Sequence, residues 1–113
     1  MRKEDSLKMK APCLKDVRLG RTYWIERPLF WIGRDGCNDL VIADDRFVSR
    51  RHAVISRQSG KWRVRDLNSE NGSFLNCRSL VQGEWLQDGD EVHVGNTTLY
   101  FCCAHVTGGV TGG

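Results

Sequence analysis

The sequence lacks most of what would mark a membrane protein, a secreted mini-domain or an enzyme. No apolar run approaches the ~20 residues of a membrane-spanning helix. The charged start Met1-Arg2-Lys3-Glu4-Asp5-Ser6 is followed by no apolar segment, so a secretory signal is not expected. Prolines number only two, Pro12 and Pro28. Both fall at the borders of extended runs, where a missing N–H is tolerated. The five cysteines, Cys13, Cys37, Cys77, Cys102 and Cys103, are an odd count at irregular spacing with no C-x-x-C. They read as reduced, packing thiols of a cytoplasmic protein, or a nuclear one in a eukaryote, rather than as a disulfide framework.

Catalytic patterns are also missing. Gly60-Lys61 lacks the earlier glycine of a P-loop. Outside Cys102-Cys103-Ala104-His105, no cysteine has a nearby histidine with an orienting partner. In that cluster adjacent cysteines on a strand face opposite sides, and zinc wants about four ligands at regular spacing. No catalytic residue, metal site or cofactor is therefore expected. Asn71-Gly72-Ser73 and Asn96-Thr97-Thr98 match glycosylation sequons, which carry no weight without a secretory signal.

What is present is one soluble domain's worth of chain. At 113 residues, with 40% hydrophobic and 27% charged, it can bury a sizeable core without staples. The net charge of +3 is too mild to indicate a nucleic-acid protein. Its distribution is uneven. Residues 1–27 carry eight basic and four acidic groups, and residues 28–67 carry eight and five. Residues 68–113 carry one basic and five acidic groups, so a basic front is followed by an acidic back.

Apolar residues seldom recur at helical spacing, and no internal repeat is visible. Short β-rich runs alternate with turn residues instead. Leu14–Leu19, reversal at Gly20-Arg21 and Thr22–Glu26 predict a hairpin. Leu29–Ile32, Asp39–Ile42, His52–Arg57, Lys61–Leu67, Ser73–Asn76, Glu91–Val94 and Thr97–Cys102 follow. Along Lys61–Leu67, Trp62, Val64 and Asp66 face one way and Lys61, Arg63, Arg65 and Leu67 the other. The pattern predicts an all-β sandwich or barrel of roughly nine to eleven short strands. Trp24, Trp31, Trp62 and Trp85 are expected in its core. Residues 1–13 read as a flexible leader, 14–105 as the domain, and 106–113 as a Gly-rich tail or the start of a linker.

The middle third carries the chemistry. Between Phe47 and Arg57 lie Arg50, Arg51 and Arg57 and no carboxylate. Upstream, Gly33-Arg34 ends a strand. Downstream, Asn68-Ser69-Glu70-Asn71-Gly72-Ser73 is a polar turn. In a sandwich, alternate strand ends share a pole, so the loops at 33–39, 43–51 and 68–72 are placed to meet. Together they would offer arginine forks, a serine hydroxyl, an amide and free loop N–H groups, a set that suits a phosphate.

The order of these pieces resembles the forkhead-associated (FHA) domain family. The matching text is Ile32-Gly33-Arg34, Asn38-Asp39-Leu40-Val41-Ile42 and Val48-Ser49-Arg50-Arg51-His52-Ala53, followed by residues 66–76 and 86–95. The resemblance covers about residues 14–104. It implies an eleven-stranded, mostly antiparallel β-sandwich whose loops at one pole bind phosphothreonine-containing segments made by a Ser/Thr kinase. By the same resemblance, Arg34, Ser49 and Arg50 would contact the phosphate. Asn71 would bond the peptide main chain and hold its loop. His52 would be structural, and Gly33 and Gly72 would be backbone requirements.

Phe47 is the candidate for reading the residues beyond the phosphothreonine, and Arg51 is expected to point elsewhere. Cys77 departs from the family's glycine in its hairpin. Glu70 puts a carboxylate beside the expected phosphate, where it would repel acidic groups. Two other readings stand beside this one. One is a small basic β-barrel binding single-stranded nucleic acid through aromatics on one open face. The other is an FHA-like scaffold that binds partners independently of phosphate. No membrane partner is expected, and nucleic acid is disfavoured.

Overall fold

The computed structural model describes residues 12–103. Their eleven strands form two sheets. They are β1 (Cys13–Asp16), β2 (Arg21–Trp24), β3 (Leu29–Gly33), β4 (Leu40–Val41), β5 (Ala53–Gln58), β6 (Lys61–Asp66), β7 (Ser73–Leu75), β8 (Arg78–Ser79), β9 (Glu84–Trp85), β10 (Glu91–Val94) and β11 (Thr97–Cys102). One sheet has the order β2-β1-β11-β10-β7-β8 and the other β4-β3-β5-β6-β9. Every pairing is antiparallel except β3 with β4.

Period-2 alternation sets the core. Leu14 stands opposite Phe101, and Ile55 opposite both Phe30 and Val64. All five side chains are buried between the sheets. Trp62, Val64 and Asp66 share the inner side of β6 as the alternation requires. The ends read from the sequence shift by small amounts. β1 starts at Cys13, one residue inside the segment read as leader, and Pro12 accepts the Ile25 N–H at 3.0 Å. β1 stops at Asp16, because the Asp16 carboxylate takes the Leu19 N–H at 3.2 Å and turns the chain. Residues 1–11 of the leader and the 106–113 tail lie outside the described residues, as does His105.

Three of the four tryptophans are not where the sequence reading put them. Trp62 is buried in the core, but Trp24 is 53% exposed, Trp85 is 47% exposed and Trp31 is half-buried. Strand parity is the reason. Trp31 lies between Phe30 and Ile32, which both point inward, so Trp31 must point out. Trp24 follows Tyr23, which packs against the core. Trp85 pairs with outward-facing Arg63. Cations cover two of these rings. Arg51 sits 5.1 Å from the Trp31 ring centre, and Arg63 and Lys61 sit 5.3 and 5.9 Å from that of Trp85.

The β7–β8 hairpin keeps a tight turn without its glycine. Asn76 (φ 49°) and Cys77 (φ 70°) are both left-handed, the backbone of a type I′ turn. The Asn76 amide anchors this turn by donating to Asp90 at 2.9 Å and accepting the Glu91 N–H at 2.9 Å. A side chain at φ 70° is strained, so Cys77→Gly is expected to raise stability by about 1 kcal/mol. Urea denaturation of the two proteins measures it, with no change expected in the slope.

Candidate functional site

Four connections meet at one pole: 34–39, 42–52, 67–72 and the β10–β11 turn at Gly95-Asn96. The first two are joined by backbone. The Arg34 N–H donates to the Ser49 carbonyl at 2.9 Å and the Asp35 N–H to the Arg50 carbonyl at 3.2 Å. Gly33 permits this approach. A Cβ there would lie 2.1 Å from the Arg50 carbonyl oxygen and 2.7 Å from Asn38 Nδ2. Buried Asn38 then donates from Nδ2 to the Asp35 and Arg50 carbonyls, at 2.8 and 2.7 Å.

Arg34 is exposed, and its Nε donates to the Val48 carbonyl at 2.9 Å. That bond fixes the guanidinium plane and uses one of its five N–H donors. The two terminal nitrogens make no ion pair among the described residues. Asp39 instead takes the Trp31 N–H at 2.8 Å and faces Arg27 at 3.7 Å. The result is a tethered, unneutralised fork at the pole.

Ser49 stands beside it, half-buried. Its N–H donates to His52 Nδ1 at 2.9 Å, and its Oγ accepts the Glu70 N–H at 3.0 Å. The hydroxyl proton is thus left to donate outward. His52 is fully buried and links two loops, with Nε2 2.8 Å from the Gly72 carbonyl. A backbone N–H can only donate and a carbonyl can only accept, so the partners assign the proton to Nε2. Asn71 Nδ2 donates to the Phe47 carbonyl at 2.9 Å, tying the 67–72 loop to the 42–52 loop. Gly72 has φ 82°, a backbone that disfavours any other residue.

Arg34, Ser49, His52, Asn71, Gly33 and Gly72 therefore converge, and Phe47 is exposed at the edge of the cluster. Phe47 also borders an open cavity of about 330 Å³ shared with Arg18, Arg46 and Asn96. The Arg50 carbonyl belongs to the loop scaffold, while its side chain is exposed. The Arg51 guanidinium lies over the Trp31 ring and reaches Cys37 Sγ in the 34–39 loop at 3.7 Å. Glu70 lends its N–H to Ser49, and the residue is exposed.

Two carboxylates that the sequence reading passed over hold the pole together. Asp45 is buried and takes the Phe47 N–H at 3.0 Å, the Asn96 N–H at 2.7 Å and the Thr97 hydroxyl at 2.7 Å. Asp66 takes the Ser69 N–H at 3.0 Å and the Ser69 and Ser73 hydroxyls, both at 2.6 Å. The Asp-x-x-Ser spacing of Asp66 and Ser69 is a local signal for the second. Asp45 gives no such signal, because its hydroxyl partner lies 52 residues away.

Burial alone would push both carboxyls up. In each case the hydrogen bonds outweigh it, from Thr97, Asn96 and Phe47 at Asp45 and from Ser69 and Ser73 at Asp66, so both titrate below the usual carboxylate range. Such groups stabilise the fold fully above the unfolded value of about 4, and that stability is lost as pH falls through the lower folded value. Asp45→Asn is therefore expected to cost about 2 kcal/mol at pH 7, with the gap to wild type closing below about pH 4. Denaturation curves across that range measure it.

The comparisons with known proteins match this geometry. The FHA domain model matches residues 30–95. The oxoglutarate dehydrogenase inhibitor of Corynebacterium diphtheriae is 40% identical over 82 residues, 73% of this chain and 56% of that protein. The glycogen accumulation regulator GarA of Mycolicibacterium smegmatis is 37% identical, over 73% of this chain and 51% of that protein. The chain thus spans a little over half the length of these relatives. A solved FHA domain studied for phosphothreonine-dependent interactions has a TM-score of 0.75 and 32% identity, covering 81% of this chain and 95% of that one. The FHA domain of FhaA, solved with the intracellular domain of Rv3910, has a TM-score of 0.74 and 33% identity over 80% of this chain and 99% of that one. The chain belongs to the FHA domain family.

Proposed function

We propose that this domain is a non-catalytic module that binds phosphothreonine-containing protein segments produced by a Ser/Thr kinase. The observation that carries the reading is the Arg34–Ser49 pair. A guanidinium tethered through Nε presents two terminal nitrogens beside a hydroxyl whose proton is uncommitted. A phosphate brings about −1.5 to −2 charge and three acceptor oxygens, which match those donors. Unmodified threonine brings neither. Arg50 would supply a second cation from the same loop, and Asn71, which holds the Phe47 carbonyl through Nδ2, would bond a peptide main chain with its remaining groups.

The FHA match supports the same reading, as do relatives named as an inhibitor and a regulator. Phe47, which borders the open cavity, would read residues flanking the phosphothreonine. The nucleic-acid alternative needs stacking aromatics on one open face. Exposed Trp24 lies on the sheet opposite that of Trp31 and Trp85, and those two rings are covered by cations.

An oriented phosphopeptide library, with unphosphorylated controls, tests the proposal by titration against wild type and Arg34→Ala. Wild type is expected to bind phosphothreonine peptides in preference to their controls. Arg34→Ala should lose at least about 30-fold in affinity, the lower end of the ~2–5 kcal/mol lost on truncating a desolvated charged partner. Its circular dichroism should stay that of the wild type. Equal binding of phosphorylated and control peptides would favour a phosphate-independent scaffold. Affinity is also expected to weaken with added salt, less steeply than for a polyanion. A response flat across salt would argue against phosphate as the anchor.

A further inference from the structure

Cys13 and Cys102 stand directly opposite one another where β1 pairs with β11. Directly opposed residues of an antiparallel pair have Cα atoms about 4.5–5.5 Å apart. That lies inside the ~4.4–6.8 Å a disulfide bridges. Their neighbours Leu14 and Phe101 point into the core, so both thiols are on the outer face of the sheet. Trp24 opposes Cys13 from the other side. Cys13 is only 2% exposed, while Cys102 is partly open to solvent, with its thiol 4.0 Å from the Tyr100 carbonyl. The other cysteines lie elsewhere along the chain. Cys37 is in the 34–39 loop, Cys77 is in the β7–β8 turn, and Cys103 is the next residue along from Cys102, with its N–H bonded to Asp88.

We propose that Cys13 and Cys102 are an oxidisable pair that forms a reversible cross-strand disulfide by exchange with a low-molecular-weight disulfide of the glutathione class. The Cys102 thiolate, the accessible one, attacks a sulfur of the small disulfide. That S–S bond breaks, one small thiol leaves, and a mixed disulfide remains on Cys102. Cys13 gives its proton to solvent and attacks Cys102 Sγ, expelling the second small thiol. Two protein thiols are oxidised and one small disulfide is reduced to two thiols. Burial, together with the neighbouring Cys102, raises the Cys13 pKa, so the second step accelerates as pH rises.

The bridge would join the first and last strands of the domain. β11 begins at Thr97, which is bonded to Asp45 at the loop pole, and reaches Cys102 at its other end. Oxidation is therefore expected to stiffen the fold without touching Arg34 or Ser49. Because the whole span between residues 13 and 102 is closed, the melting temperature should rise by at least roughly 10 °C.

The test is equilibration of the protein with mixtures of glutathione and glutathione disulfide, followed by alkylation, proteolysis and mass mapping. A peptide pair joined through Cys13 and Cys102, reversed by dithiothreitol, is the expected product. It should persist when Cys37, Cys77 and Cys103 are replaced by serine. Cys13→Ser should stall with glutathione on Cys102. Glutathione confined to Cys37 and Cys77 would overturn the proposal, as would a link between Cys102 and Cys103. An unchanged melting temperature in the cross-linked protein would overturn the stapling role.

Discussion

The buried imidazole of His52 is the constraint on which the loop pole depends. It accepts from Ser49 and donates to Gly72, so one side chain sets the spacing of two loops beyond the end of the β5–β6 ladder. A buried polar group left unsatisfied costs about 1–3 kcal/mol, so both loops are held wherever His52 finds both partners. Placing the Ser49 main chain also places its hydroxyl, and the Ser49 carbonyl in turn receives the Arg34 N–H. The groups proposed to bind phosphate are therefore positioned through backbone contacts before any ligand arrives. Binding then spends less on ordering side chains and loops.

Asp45 and Asp66 extend that rigidity outward. Each carboxylate gathers main-chain and hydroxyl donors from loops that would otherwise leave polar groups unpaired. Neither is a neighbour that neutralises Arg34. Asp45 and Asp66 are thus occupied as acceptors, while the Arg34 guanidinium makes no ion pair among the described residues. A net charge of +3 hides this arrangement, since the total says nothing of which charges are already hydrogen-bonded.

The candidate site was more legible than some of the architecture. Gly33, Arg34, Ser49, His52, Asn71 and Gly72 lie in short stretches whose residue types have few other uses together. Their convergence followed from alternate strand ends sharing a pole. β8 and β9 were not read as separate runs, because two residues each, Arg78–Ser79 and Glu84–Trp85, carry no usable alternation. The tryptophans were misplaced for a different reason. Size and apolarity favour burial, but Trp31 sits one residue from both Phe30 and Ile32, and a strand cannot turn all three inward. Cys77 shows how context overrides preference, since a turn anchored by Asn76 to Asp90 and Glu91 holds a left-handed cysteine.

By itself, the sequence determined an all-β chain, its main strands and turns, and the chemistry concentrated in its middle third. These are properties of a few neighbouring residues: side-chain period, turn preference and charge. Tertiary structure alone decided which distant groups meet. Arg34 reaches Val48 across 14 residues, Glu70 reaches Ser49 across 21, and Asn71 reaches Phe47 across 24. It also brought Cys13 against Cys102 by pairing the first strand with the last. Such pairings are chosen by the register that buries Leu14, Phe101 and the rest of the apolar set between two sheets. No local window of sequence contains that sum.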